Sequence, residues 1–123
     1  MARHNRLGQW GENIATEHLI REGYAIVERN WRMEHFEIDI IATKGPRIIF
    51  VEVKTRTSAD YDPLEAVDTR KKTRMIASAN AYILSRNLPH EVQYDIITIV
   101  GEPNDYTLEH IPDAFWPSVR TRR

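Results

Sequence analysis

The sequence contains no cysteine. Without a thiol, the chain cannot form disulfides, thiolate zinc sites or cysteine nucleophiles. This absence fits a reducing compartment, so we expect a cytoplasmic protein.

Long apolar runs are lacking as well. The N-terminal stretch MARHNRLGQWGEN has no apolar core of the kind that a signal peptide needs. We therefore expect no contact with a membrane. The formal net charge is only −1, which argues against a nucleic-acid-binding surface that covers the whole molecule.

The composition is that of an ordinary globular domain. The chain has 123 residues, of which 41% are hydrophobic and 28% are charged. This length and balance suit one domain with one core, which we expect to span residues 1–123, with an irregular tail from about residue 112. Basic residues are clustered locally, and the densest group is Arg70, Lys71, Lys72 and Arg74.

Hydrophobic periodicity and breakers predict seven elements. We expect helices at residues 8–22 and 69–85, the second capped by Asp68, and a short capped turn at residues 62–67. Strands are predicted at residues 24–29, 36–42, 47–56 and 92–100, with an edge strand at 106–111. The order α-β-β-β-α-β-β predicts an α/β domain with a mixed central sheet flanked by helices.

Charged residues interrupt the hairpin FEIDIIATKGPRIIFVEVKTR at residues 36–56. Alternation along a strand puts Glu37 and Asp39 on one face of the second strand, and Ile38 and Ile40 on the other. Burying an unpaired charge costs several kcal/mol, by a rough estimate, so acids in the middle of an apolar strand need a partner.

Asp39 and Glu52 are predicted to project from the same side of the paired strands, with Cβ atoms about 5 Å apart. Two carboxylates at that separation repel unless a cation or a proton lies between them. Mg²⁺ or Mn²⁺ meets this need, because such an ion takes one or two carboxylates and completes its shell with water and substrate phosphate. Lys54, on the same face, could hold an attacking water or meet charge developing on phosphorus. The alternative is a cross-strand ion pair on a solvated face.

Five further side chains are candidates for the same site. Glu12 lies at the edge of the apolar face of the first helix and could point to the sheet or to solvent. Glu37 could lie behind the metal ligands and help to orient them, or it could pair with an arginine. Arg56 continues the face of Lys54 outward and could contact a backbone phosphate. Lys71, with Arg74 nearby, could bind a phosphate or run along the core with its ammonium in solvent.

Short motifs run in order along nearly the whole chain: G8-x-x-G11-E12-x-x-A15, G23-Y24-x-x-V27-E28-R29-N30-W31-R32, E37-I38-D39-x-I41-A42, F50-V51-E52-V53-K54-T55-R56, A66-V67 followed by K71, A79-x-A81-Y82, Y94-D95-I96 and H110-I111-x-x-A114-F115. In these motifs the sequence resembles the YraN family of small bacterial proteins, placed in the restriction-endonuclease-like (PD-(D/E)xK) nuclease superfamily and similar in layout to archaeal Holliday-junction resolvases. It departs from the family at Phe36, where glycine is usual, and at Gln93, where arginine is usual. The second departure leaves the role of Asp95 open between a buried, hydrogen-bonded acid and a catalytic one.

The resemblance implies an αβββαβ nuclease core with Asp39 and Glu52 as metal ligands, Lys54 as the catalytic lysine and Glu12 as an outer acid. It implies a Mg²⁺-dependent endonuclease that acts on DNA, with branched DNA as one substrate to consider and a homodimer left open. Two other interpretations remain: a nucleic-acid-binding module without catalysis, and a protein-interaction module whose acids form only ion pairs.

Overall fold

The computed structural model describes residues 2–57, 68–86 and 91–117. These residues form two helices and five strands: α1 (Ala2–Arg21), β1 (Ala25–Met33), β2 (Phe36–Lys44), β3 (Arg47–Arg56), α2 (Thr69–Arg86), β4 (Glu91–Glu102) and β5 (Asp105–Ile111). The predicted order of elements is confirmed. β1 is longer than predicted, because the chain stays extended through Met33 until the turn before Phe36. The turn predicted at residues 62–67 lies outside the described residues.

All five strands join one sheet in the order β1-β2-β3-β4-β5. β3 and β4 run parallel, while the other three neighbouring pairs are antiparallel. The parallel pair needs a long crossover, and α2 lies within it. The predicted mixed sheet is therefore confirmed.

The β2–β3 hairpin has a two-residue loop, because Lys44 pairs with Arg47. Gly45 has a φ of 60°, and Pro46 follows it. A type I′ turn needs positive φ at both loop residues, which the proline ring forbids. This leaves a type II′ turn, with glycine at the first position, and it fixes the even register that the site requires.

The sheet buries a hydrophobic core on each face. One face packs against α1 and the other against α2, and we call these clusters the α1-side core and the α2-side core. The first includes Leu19, Ile40, Ala42, Val51 and Ile97. The second includes Trp31, Ile38, Ile41, Phe50, Met75, Tyr82 and Tyr94. No described helix is long and apolar enough to cross a membrane.

The ends of two elements are held by specific contacts. The predicted cap of α2 is confirmed, because the carboxylate of Asp68 accepts a hydrogen bond from the backbone N–H of Lys71 at 2.8 Å. After β5 the chain has no regular structure through residue 117, yet Phe115 is buried and stacks on Tyr94. The backbone N–H of Ala114 donates to the carbonyl of Tyr94 at 2.7 Å, which fixes this segment against the α2-side core.

Candidate active site

The site forms where β2 separates from β3. Pairing between these strands ends at Ile40 and Val51, whereas β3 continues along β4 as far as Arg56. Beyond Val51, one edge of β3 therefore faces a cavity instead of a strand. The backbone N–H of Val53 donates to Oδ2 of Asp39 at 2.8 Å, so a side chain replaces the missing ladder bond.

The pairing of β1 with β2 is irregular at Asp39. In the register of β1 and β2, Asn30 lies opposite Asp39, and its φ is 54°. Ile38 packs in the α2-side core, whereas Ile40 packs in the α1-side core. The predicted sharing of one face by Ile38 and Ile40 is therefore wrong: strict alternation assumes a regular strand, and the left-handed Asn30 marks an irregular one.

Asp39 lines two cavities, one toward each helix. The large cavity has a volume of about 670 Å³ and lies toward α1, with Leu7, Gly8, Gln9, Glu12, Asn30, Arg32, Asp39, Val53, Lys54, Thr55 and Arg56 around it. The small cavity has a volume of about 250 Å³ and lies toward α2, with His35, Phe36, Glu37, Asp39, Glu52, Lys71, Thr73, Arg74, Met75, Ala77 and Ser78 around it. Side chains from both cavities can thus contact a ligand that is bound to Asp39.

The environment of Asp39 disfavours its charged form. Burial, and then the negative charge of Glu52, raise the pKa of Asp39 to about 7, although the hydrogen bond from Val53 acts in the opposite direction. Glu12 and Glu37 add smaller repulsions. A carboxylate held in this way gains from any cation that reaches it.

Lys54 is partly buried beside these acids. Burial, and then the neighbouring Lys71, lower the pKa of Lys54 to about 8, while the charge of Glu52 acts in the opposite direction. The ammonium of Lys54 therefore lies near both the acid of its own strand and a second lysine. Such a group can donate hydrogen bonds to a phosphate and can lose its proton near neutral pH.

Glu12 points to the sheet and not to solvent. Its side chain is buried, and Oε1 accepts hydrogen bonds from Arg29 at 2.9 Å and from Asn30 at 2.8 Å. The position requires Gly11, because a Cβ there would overlap the hydroxyl of Thr55 on β3. No role was predicted for Arg29 and Asn30, although a charged, amide-bearing run inside β1 was a visible signal.

Glu52 is paired with Lys71 from α2. Oε2 of Glu52 lies 2.9 Å from Nζ of Lys71, and the two side chains are only 17% and 20% exposed. Burial favours the neutral amine, but hydrogen bonds to Lys54 and Glu52 outweigh it and raise the pKa of Lys71. The ammonium of Lys71 thus belongs to the site itself and does not extend into solvent.

The other candidates lie around the rim. Glu37 is exposed and lies 3.7 Å from Arg32, so it forms the arginine pair that we considered as its alternative role. Arg56 is at the exposed end of β3 and lines the large cavity, and its guanidinium donates to the carbonyl of Thr55 at 3.0 Å. Arg74 is exposed and lines the small cavity.

The donors fit a divalent cation that has few protein ligands. Within residues 2–57, 68–86 and 91–117, no group of three or more His, Asp or Glu side chains is arranged to hold a metal ion. Asp39 and Glu52 offer two carboxylates that repel each other when both are charged. Mg²⁺ commonly binds through one or two carboxylates, with water and substrate phosphate as its other ligands, so a pair of acids beside an open cavity is sufficient.

Asp95 belongs to a separate polar cluster. It is fully buried, lines neither cavity, and accepts hydrogen bonds from Tyr24, His110, Gln93 and the backbone N–H of Asp113. Burial alone would raise the pKa of Asp95, but these donors outweigh burial and lower it. Oε1 of Gln93 accepts from Arg47 at 2.8 Å, so an amide links this acid to a cation. Of the two roles left open, the structure supports the buried, hydrogen-bonded acid.

Comparisons with known proteins all give the same family. The model of the "Uncharacterised protein family UPF0102" matches residues 11–99. A UPF0102 protein of Bacteroides thetaiotaomicron is 45% identical over 118 residues, which cover 95% of this chain and 98% of the relative. A UPF0102 protein of Bacteroides fragilis is 44% identical over 118 residues with the same coverage, and one of Flavobacterium psychrophilum is 41% identical over 117 residues.

Proposed function

The chain belongs to the UPF0102 family, and from the geometry of its site we propose that it is a Mg²⁺-dependent nuclease that hydrolyses phosphodiester bonds in DNA. One observation carries the proposal. Two acids, Asp39 and Glu52, and one lysine, Lys54, meet at the point where β2 separates from β3. Asp39 and Lys54 line the open cavity of about 670 Å³, and Glu52 lines the small cavity on the other side of Asp39. We further propose that the protein belongs to the restriction-endonuclease-like superfamily and works in the cytoplasm.

Asp39 and Glu52 would hold the metal ion, and Mn²⁺ could replace Mg²⁺. When bound, the ion polarises a phosphoryl oxygen and makes a bound water more acidic. The raised pKa of Asp39 supports this assignment, because the protein keeps there a carboxylate that repels its neighbour. An acid placed only for stability would carry its own cation, as Glu12 does with Arg29.

Lys54 would serve the reacting phosphate. Its ammonium is partly buried, so its field is weakly screened and favours the negative charge that grows on phosphorus during attack. Partial burial restricts the flexible stem of Lys54, so the group needs less rearrangement than a lysine in solvent would. Glu12 would complete the wall of the large cavity, where hydrogen bonds from Arg29 and Asn30 hold its carboxylate.

DNA would approach along the rim. Arg56 at the large cavity, and Arg74 with Lys71 at the small cavity, are positioned on both sides of Asp39 and could contact successive phosphates. A few local contacts of this kind suit a chain with a net charge of −1. Branched DNA is the substrate that we would test first among the structured forms, and a homodimer would give two such sites.

A cleavage assay with matched variants tests the proposal. Purified protein is incubated with linear, flapped, gapped and four-way-junction DNA, in Mg²⁺ or Mn²⁺. Lys54→Ala should lower cleavage about 10²–10³-fold, as loss of one preorganised transition-state contact does, while binding of metal and DNA changes little. Asp39→Asn should abolish cleavage because a negative ligand is lost without a change of shape.

Lys44→Ala is the matched control. Lys44 lies at the hairpin end of β2, 4.8 Å from the ring centre of Tyr24, and lines neither cavity. Its loss should leave the cleavage rate unchanged. Activity that persists equally in Asp39→Asn and Lys54→Ala would come from another site or another protein, and the proposal would fall.

The alternative function is a nucleic-acid-binding module without catalysis. The ion pair of Glu52 with Lys71 favours it, because one of the two acids already has a cation of its own. DNA binding by the parent protein without cleavage of any of the four substrates would favour this alternative over the nuclease.

A further inference from the structure

Lys71 occupies a position that its own helix does not explain. It lies in the first turn of α2, which contains no acidic residue. A lysine there opposes the helix dipole, whose N-terminal end is positive. The ion pair with Glu52, at 2.9 Å, gives the ammonium its compensation. Glu52 therefore determines where the side chain of Lys71 lies.

The same ion pair conflicts with a metal ion. A divalent cation held by Asp39 and Glu52 would lie close to Nζ of Lys71, and the two positive charges would repel. The metal ion and the ammonium of Lys71 would also both bind the carboxylate of Glu52. Lys54 adds to the crowding, since its amine accepts a hydrogen bond from the ammonium of Lys71. The ion pair and the metal thus compete for the same acid.

Lys71 has room to move when it loses this competition. The small cavity, of about 250 Å³, is lined by Lys71 itself together with Glu52 and Arg74. A lysine has a flexible four-carbon stem, so its ammonium can turn from Glu52 into this cavity without movement of α2. In the cavity it would lie near the exposed guanidinium of Arg74, and the two groups together suit a phosphate.

We propose, on the basis of the nuclease function above, that Lys71 is a positioning residue that couples metal binding to DNA binding. Without metal, Lys71 is the counter-ion of Glu52 and keeps the acid in place. When the metal binds, Lys71 leaves Glu52, and its ammonium becomes available to a backbone phosphate in the small cavity. The affinity of the protein for DNA therefore rises only when the metal site is filled.

The proposal predicts effects of opposite sign for one substitution. Lys71→Met keeps the stem and removes the charge. Because a competitor for Glu52 is lost, Mn²⁺ alone should bind about tenfold more tightly than to the parent protein, as seen by electron paramagnetic resonance. Binding to four-way-junction DNA in Ca²⁺, measured by fluorescence anisotropy, should weaken severalfold because a phosphate contact is lost.

Lys72→Met is the matched control, since it removes the same charge from the next residue of α2. Lys72 lies 5.8 Å from the ring centre of Phe115 and lines neither cavity. Its Mn²⁺ affinity should equal that of the parent protein. Lys71→Gln, which is uncharged but has a polar amide at its end, should behave like Lys71→Met. It serves as a second variant if the first folds poorly, which circular dichroism will show.

The outcomes separate this proposal from the proposed function. Unchanged or weaker Mn²⁺ binding by both Lys71 variants would overturn the coupling role. If Asp39→Asn nevertheless abolishes Mn²⁺ binding, the proposed metal site stands without the coupling. Mn²⁺ binding that Asp39→Asn does not alter would overturn the metal site and the coupling role together. Tighter Mn²⁺ binding with unchanged DNA affinity would overturn the transfer of Lys71 to phosphate.

Discussion

Asp39 lies in an environment that destabilises the folded protein at neutral pH. Its pKa of about 7 is well above the usual value of 3.8, and the first cause is burial, followed by Glu52. The folded state therefore binds a proton that the unfolded state releases between these two values. The contribution of Asp39 to the free energy of unfolding is therefore most favourable below pH 3.8. It is lost as the pH rises from 3.8 through about 7.

Asp39→Asn should accordingly stabilise the metal-free protein. At pH 8 with EDTA, the free energy of unfolding should rise by about 1–4 kcal/mol, since the amide avoids the cost of the buried charge. The gain should shrink as pH falls toward 4, where the parent carboxyl is protonated as well. Urea unfolding of both proteins at several pH values measures this difference.

Glu37→Gln is the control for Asp39→Asn. Glu37 lies on the same strand but is exposed, so the same change of charge should alter stability by less than about 0.5 kcal/mol. A metal-free Asp39→Asn protein that is less stable than the parent at pH 8 would contradict the assignment of Asp39 as a repelled, buried acid.

At the scale of elements, the contact of α1 with β3 positions Glu12. The helix approaches the strand so closely at Gly11 that an added Cβ would overlap the side chain of Thr55. Since Thr55 follows Lys54 directly, this contact sets the distance between the acid of the helix and the lysine of the strand. Gly11 is therefore needed for the close packing of α1 on β3 and not for a turn.

Gly11→Ala should therefore destabilise the protein by about 1–3 kcal/mol, as overpacking does. It should also lower cleavage, because α1 must move away from β3. Gly8→Ala is a matched control on the same helix, since nothing lies within 4 Å of its added Cβ. That change should stabilise by about 0.5–1 kcal/mol. Equal effects of the two changes in thermal melts would show that the α1–β3 contact is not tight.

The sequence predicts the elements well because each leaves a local signal. Asp68 caps α2, and Gly45-Pro46 determines the turn of the hairpin, so both could be read without tertiary information. The change of face at Asp39 could not be predicted in this way. It occurs where Asn30, on a different strand, adopts a positive φ, and alternation within β2 gives no sign of it.

At the scale of the whole molecule, the site depends on elements distant in sequence. Hairpin patterning predicts the closeness of Asp39 and Glu52, because both belong to neighbouring strands. The approach of Glu12 from α1, and of Lys71 from α2, depends on how the helices pack on the two faces of the sheet. Spacing in the sequence does not specify such long-range contacts, and so the Lys71–Glu52 pair was not predicted.

Both helices deliver a charged group to the point where β2 and β3 separate. Glu12 arrives with its cation Arg29 already bound, whereas Lys71 arrives as the cation of Glu52. Of the acids at the site, Asp39 is the one without a basic partner among the described residues, and its only hydrogen bond there comes from the backbone of Val53. A divalent cation would complete this arrangement, which makes its location the central claim.

The most direct measurement is the anomalous scattering of Mn²⁺ in crystals of the parent protein and of Asp39→Asn, grown with a short DNA duplex and soaked in millimolar Mn²⁺. We predict one strong peak between the carboxylates of Asp39 and Glu52 in the parent protein, and no peak there in Asp39→Asn. A peak elsewhere in the molecule, or no peak in the parent protein with DNA bound, would contradict the assignment of these acids as the metal site of a nuclease.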